Sequence, residues 1–295
     1  MPLEFRSCAV FLACGLAACV GAVTSSLASW SSATGALALS AALTLFLALS
    51  NCVPPDADAA ALLISAFGTI VFLLGFGAGA AGAALATGGG ESWDIVTAVR
   101  LPLFVVLVMI FHVAEFTFVA RFHPQDLTFR SLMLAPVPGG GYSVALAFGI
   151  AEFWLEVMLL GRPQWLPATA RLATVMAGFV LGLMGWGLRT AALFTAEANF
   201  THIVASRKEE RHKLVTVGVY RLVRHPGYVG WFIWSVSTQL VLGNPACFIA
   251  FVIVSWLFFA GRIPEEEQLL VDFFGEDYLA YASRVPCGIP CITRL

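Results

Sequence analysis

The chain has 295 residues, of which 59% are hydrophobic and 12% charged, with a mean hydropathy of +0.87 and a net charge of −2. A soluble globular protein carries about 25% charged residues, so an ordinary soluble domain is excluded and the composition indicates a polytopic membrane protein. A balance this close to neutrality gives no basis for nucleic-acid binding.

Between Ser7 and Pro55 there is no Asp, Glu, Lys or Arg. Trp30, set among serines, divides this run into two spans, 8–28 and 34–52, each with the ~20 residues that cross a hydrocarbon core. Arg6 ahead of an apolar core has the look of a signal peptide, but the core is long and a second span follows at once, so a retained span is expected. Pro54-Pro55-Asp56-Ala57-Asp58 is a turn, and residues 59–90 are again free of charge. Within them Gly77-Ala78-Gly79-Ala80-Ala81-Gly82 fits the G-x-G-x-x-G spacing. That fingerprint has meaning only between a strand and a helix of a βαβ unit, and no such unit surrounds it. Gly75 and Gly79 instead have the small-xxx-small spacing of closely packed membrane helices.

A fourth span, about 95–120, contains His112 and Glu115 on one helical face. They read either as a polar pair satisfied inside the bundle or as the lining of a ligand path. Residues 121–140 carry Arg121, His123, Asp126 and Arg130, then Pro136, Pro138 and glycines, which makes a loop with room for an interfacial helix. A fifth span, 141–160, places Glu152 and Glu156 four residues apart, at the membrane surface or paired in the bundle. The sixth, 167–193, holds Gly178, Gly182, Gly185 and Gly187, expected at close helix contacts.

Residues 199–227 are polar. The apolar segments Tyr228–Leu242 and Ala246–Gly261 follow, joined by Gly243-Asn244-Pro245, a turn signal that predicts a helical hairpin. Beyond Arg262 a helical tail is expected as far as Tyr281, then extended chain around Pro286 and Pro290. The seven cysteines lie mostly in apolar runs; Cys287 and Cys291 form a C-x3-C pair without the second pair that a zinc site needs, and read as ordinary thiols. The fold class is therefore all-α and polytopic, with about eight transmembrane helices, the last two being a C-terminal hairpin. Residues 1–193 form a bundle of six spans, and 194–295 a separate module. With eight spans, 13 of the 16 Lys and Arg fall on the face that holds both termini, leaving Arg100, Arg162 and Arg171 opposite. The positive-inside rule puts both termini in the cytosol. It also brings Tyr220–Tyr228 and Arg262–Glu267 to one end of the hairpin.

Taken singly these residues have structural readings. Pro226 suits the first position of a helix, Tyr228 and Trp231 an interfacial belt, and Glu265, Glu266 and Glu267 after Pro264 the first turn of another helix. Their convergence points to chemistry. Arg224-His225-Pro226-x-Tyr228-x-Gly230, Arg262-x-x-Glu265-Glu266-Glu267, Phe274-Gly275-x-x-Tyr278-x-x-Tyr281 and Val285-Pro286-x-x-Ile289-Pro290 stand in that order. Ahead of them come Asn199-Phe200-x-His202 and His212-x-Leu214-Val215-Thr216-x-Gly218-Val219-Tyr220. Together they resemble the isoprenylcysteine carboxyl methyltransferase family over about the last hundred residues. The His-Pro-x-Tyr element alone is also similar to phospholipid methyltransferases and some sterol reductases.

The resemblance implies methyl transfer from S-adenosylmethionine to the C-terminal carboxylate of a farnesylated or geranylgeranylated cysteine on a CaaX-type protein, in the endoplasmic reticulum membrane. By position it assigns the cofactor to His212, Lys213, Leu214, Val215, Tyr220, His225, Pro226, Gly227, Tyr228 and Glu266, in a cytosolic pocket. It assigns the substrate carboxylate to Arg262, and it implies no metal. Pro264 departs from the expected pattern and would move a helix start there, displacing the Glu265/Glu266 assignment by one position. A lipid-headgroup methyltransferase is the alternative within enzymes, disfavoured because an amine substrate would want an acid in place of Arg262. A transporter or channel would want ionisable groups at mid-span and an internal repeat. His112, Glu115, Glu152 and Glu156 are left without a role by this reading.

Overall fold

A computed structural model describes residues 95–127, 131, 133, 141–157, 166–202 and 212–292. The spans expected at 8–28, 34–52 and 59–90, the glycine run at 77–82 and the middle of the polar segment, 203–211, lie outside the described residues. Among the described residues every regular element is helical. The helices are α1 (Ile95–Phe122), α2 (Gly141–Leu155), α3 (Ala168–Ala196), α4 (Pro226–Leu242), α5 (Pro245–Phe274) and α6 (Glu276–Ala282), with 3-10 turns at Pro124–Asp126, Glu197–Asn199 and Gly218–Arg221. Val99–Phe122, Ala168–Asn199 and Pro245–Phe274 are long and apolar enough to cross a membrane.

Two compact units divide the chain, Met1–Val106 with Trp154–Arg171, and Leu107–Phe153 with Leu172–Leu295. In the first, Val96, Leu101, Leu103 and Phe104 are buried. The second holds the hairpin and everything that follows here.

In the second unit α3 and α4 touch backbone to backbone. A Cβ built on Gly185 would lie 2.5 Å from the Trp234 nitrogen, and one on Gly230 would lie 2.5 Å from the Arg189 nitrogen. Gly178 packs likewise on Leu240 and the Val241 nitrogen, whereas Gly182 receives the Leu107 side chain of α1. Lipid tails are as apolar as the side chains, so such close van der Waals contact is the main attraction between membrane helices. Gly187 differs from expectation: it faces open space, with nothing within 4 Å of an added Cβ. Two indoles tie these helices to α1, Trp186 donating to the Ile110 carbonyl and Trp234 to that of Leu107, both at 3.1 Å. Buried Trp N–H groups need such partners.

The hairpin turn is built from its own sequence and one distant side chain. Gly243 closes α4 in the left-handed region (φ 71°), and its N–H reaches back to Gln239 and Leu240. Asn244 and Pro245 then open α5, proline losing nothing at a position whose N–H has no helical partner. The Glu152 carboxylate takes the N–H groups of Ala246 and Cys247 at 2.8 and 2.7 Å. Glu152 is thus an N-terminal cap supplied from α2, which complements the positive end of the helix dipole.

The second arm of the hairpin is longer than the sequence suggests. α5 runs unbroken for 30 residues with Pro264 inside it, so no helix starts at Pro264 and Glu265–Glu267 are not a first turn. A proline removes one interior hydrogen bond without stopping a helix already anchored on both sides. The chain turns only at Gly275 (φ 55°).

Candidate active site

The site is assembled at the end of the hairpin opposite its turn, where α4 begins and the last turns of α5 lie. His225 precedes α4 and Pro226 occupies its first turn. This geometry leaves the His225 ring stacked on Tyr228, with centroids 5.5 Å apart and planes 6° from parallel. Behind them Arg224 is 4% exposed and holds Glu267, 1% exposed, through Nε at 2.8 Å and Nη2 at 2.5 Å. Its Nη1 donates to the carbonyls of Val285 and Ala282, and its backbone N–H to that of Pro286. His225 contributes a further contact to Glu267 at 3.0 Å. A buried guanidinium with its donors occupied in this way latches residues 282–287 onto the start of α4. Burial opposes the Arg224 charge, and the Glu267 carboxylate more than offsets it, so the guanidinium is held charged.

One cavity opens in front of this latch. All ten residues assigned to a cofactor from the sequence line it: the segment His212–Val215, Tyr220, the His225–Tyr228 turn, and Glu266. Arg262 stands beside it, not in its lining. Phe200, Leu269, Leu270, Phe273, Tyr278 and Tyr281 also line it, and these were not assigned. The spacing that carries Tyr278 and Tyr281 is visible in the sequence; Leu269, Leu270 and Phe273 are plain apolar helix positions, with nothing in their residue types to mark a cavity wall rather than core. Lys213 N–H is fixed to Asn199 Oδ1 at 2.7 Å. Tyr281 donates to the Tyr220 carbonyl at 2.6 Å. Burial pushes the phenols of Tyr220 and Tyr278 well above their usual range and that of Tyr281 up to about 12.

Glu265, Glu266 and Glu267 part company on successive faces of α5. Glu265 is exposed, Glu266 faces the cavity and Glu267 is buried against Arg224. Tyr228 joins the cavity to Arg262. Its hydroxyl donates to Glu266 and accepts from Arg262 Nε at 2.8 Å. Arg262 Nη2 donates to the His202 carbonyl at 2.8 Å, and its guanidinium lies 5.7 Å from the Tyr228 ring centroid. Nε and Nη2 form one edge of the fork. Among the described residues the other edge, Nη1 with the second Nη2 hydrogen, takes no hydrogen bond.

His112 and Glu115 do not pair with each other. His112 meets the Tyr142 hydroxyl at 2.8 Å. Glu115 accepts from Arg189 Nε at 2.7 Å, Arg189 Nη2 at 3.4 Å and His202 Nε2 at 2.7 Å. His225, Glu267 and Cys287 bring three ligand-type atoms within 4.8 Å of one another. The Arg224 guanidinium already on Glu267 would set a fixed positive charge against any cation there. Cys287 and Cys291 are both free thiols, Cys287 buried and Cys291 exposed.

A model of the isoprenylcysteine carboxyl methyltransferase family matches residues 176–272. Protein-S-isoprenylcysteine O-methyltransferase B of Arabidopsis thaliana is 37% identical over 196 residues, which are 65% of this chain and 94% of the plant protein. The chain belongs to this family. Protein-S-isoprenylcysteine O-methyltransferase of Mus musculus is 42% identical over 192 residues, 64% of each chain, so the match spans less than two thirds of the mouse protein. The solved structure of the eukaryotic intramembrane Ras methyltransferase ICMT aligns over 99% of this chain and 98% of its own, with TM-score 0.66 and 28% identity. The chain is accordingly a multi-pass membrane protein.

The family implies a methyl donor, and the cavity's chemistry fits a cationic one. A carboxylate, Glu266, and the aromatic residues Tyr220, Tyr228 and Phe273 border it, the groups that attract a cation. The buried Tyr278 hydroxyl lies against the Arg224–Glu267 pair behind the cavity. A Cβ on Gly227 would lie 3.2 Å from Arg189 Nη1 and 3.3 Å from the Phe200 ring, so these side chains pack tightly against the turn.

Proposed function

We propose that this chain catalyses S-adenosylmethionine-dependent methyl esterification of the C-terminal carboxylate of farnesyl- or geranylgeranyl-cysteine. The observation that carries it is the Tyr228 junction. One hydroxyl links an arginine with an open donor edge to a carboxylate facing a cavity lined by every residue assigned to the cofactor. Arg262 is the catalytic residue of this reading, and the ten cavity residues hold the donor. Bound there, S-adenosylmethionine supplies an electrophilic methyl group on a sulfonium.

The protein's own part is positioning. An α-carboxyl has an unperturbed pKa near ~3.5, so the substrate is already the nucleophile at neutral pH and needs no general base. The open edge of Arg262 receives it through two parallel N–H bonds, a geometry that lysine cannot supply. Held beside the cavity, its oxygen needs an approach of about 3–3.5 Å to the methyl carbon. The aromatic wall keeps water from competing for that carboxylate. A prenyl chain favours the bilayer by about 0.8 kcal/mol per buried CH₂, so the substrate enters laterally from the membrane. Eight spans, cytosolic termini, a site module over 194–295 on a six-span bundle, and residence in the endoplasmic reticulum belong to the same reading, supported by the basic-residue distribution and the family.

The test is radiolabelled methyl transfer in detergent to N-acetyl-S-farnesyl-cysteine, with a phospholipid amine as control. Labelling of the prenylcysteine alone is expected. Labelling of the amine alone would replace this reading with a lipid methyltransferase.

A further inference from the structure

We propose that His202, held by Glu115, is a positioning residue that keeps Arg262 from collapsing onto Glu266 and so keeps its donor edge open for the substrate carboxylate. This inference rests on the role proposed above for Arg262.

Arg262 and Glu266 are four residues apart on one helix, the spacing at which opposite charges pair. Among the described residues no ion pair joins them. The guanidinium is instead drawn sideways by two acceptors, the Tyr228 hydroxyl on Nε and the His202 carbonyl on Nη2, each at 2.8 Å. Tyr228 alone would not prevent collapse, because its hydroxyl is bonded to Glu266 and would follow it. The His202 carbonyl is the independent anchor, so what fixes His202 fixes Arg262.

His202 is fixed by its ring. Nε2 is 2.7 Å from Glu115 Oε2, and the ring stands edge-on to Phe118 and Phe200, with interplanar angles of 72° and 82°. Glu115 is 1% exposed and comes from α1, 74 and 87 positions away in sequence from its partners Arg189 and His202. Arg189 already neutralises it, giving one N–H to each carboxylate oxygen. A buried carboxylate so paired satisfies its charge requirement; the contact from His202 is additional, and its effect is to set the backbone that receives Arg262. Arg189 completes the frame by donating from Nη1 to the Gly227 carbonyl at 3.3 Å, so the same buried carboxylate steadies the turn that carries Tyr228.

The experiment measures competitive binding of N-acetyl-S-farnesyl-cysteine and of its carboxamide to the full chain in detergent, together with S-adenosylmethionine affinity by calorimetry. His202→Phe keeps a ring against Phe118 and Phe200 and removes the donor to Glu115. The preference for carboxylate over carboxamide should fall by roughly tenfold or more, the worth of one charge-assisted hydrogen bond. His202→Gln, which returns an N–H donor near the place of Nε2, should restore most of it. Glu115→Gln leaves one acceptor oxygen where Arg189 and His202 now use two, which weakens the hold on the ring at near-constant volume and should reproduce the loss in part, so the test stays open if His202→Phe does not fold. A preference unchanged in both His202→Phe and Glu115→Gln would overturn the proposal, as would one lost equally in His202→Gln. If the parent protein shows no preference for the carboxylate, the role given to Arg262 fails; if it shows one that survives these variants, only the positioning role fails.

Discussion

At the scale of single residues, the decisive group is one hydroxyl. Tyr228 carries a ring stacked on His225 and an oxygen shared by Arg262 and Glu266. Tyr228→Phe keeps the ring and removes the oxygen, so it separates packing from bonding. The expected outcome is a fall in kcat on the order of 10²-fold, comparable with losing one preorganised donor contact in other active sites. The fold should be intact, as read by thermal unfolding. A kcat within a few-fold of the parent would mean that Arg262 is oriented without Tyr228. Much of this set of residues is legible in the sequence, because the residues fall in a few short motifs with fixed spacings. The Glu115 network was not. Its contacts span 74 and 87 positions, and nothing local in α1 says which of many distant donors a lone glutamate will meet.

Among elements, the α3–α4 contact depends on having no side chain. Gly230→Ala would place a carbon 2.5 Å from the Arg189 nitrogen and 2.7 Å from the Gly185 carbonyl. Neither backbone can move without its helix, so a loss of about 1–3 kcal/mol is expected, measured by reversible unfolding in detergent. Gly187→Ala is the internal control. Open space surrounds Gly187, and alanine in a helix interior gains about 0.5–1 kcal/mol over glycine, so stability should be unchanged or higher. The glycine-rich composition of α3 signalled close packing correctly, but composition does not say which face each glycine takes. Pro264 misleads for a related reason. Proline followed by acidic residues is the pattern of a helix start, yet α5 has already been launched at Pro245 and capped by Glu152. A local rule yields to a helix already in progress.

For the molecule as a whole, several buried phenols clustered around the cavity make stability depend on alkaline pH. An unfolded tyrosine titrates near 10.0, whereas Tyr281 in the fold is held up to about 12 by burial. The folded state therefore favours the neutral phenol. That contribution is complete below pH 10 and is lost progressively as pH rises toward 12, because the unfolded chain sheds its proton first. Thermal unfolding between pH 8 and about pH 11.5 should show a falling Tm above about pH 10. Tyr281→Phe should lower Tm at neutral pH, through loss of the bond to the Tyr220 carbonyl, and should flatten the alkaline decline. An unaltered decline would assign it to other groups. A wider consequence follows from the oxygen that Tyr228 divides between its two neighbours. Whatever polarises that oxygen from the Glu266 side changes the acceptor that Arg262 sees, and the reverse holds equally. Two ligands meeting on either side of it are linked: each must alter the other's affinity by the same factor, in whichever order they arrive.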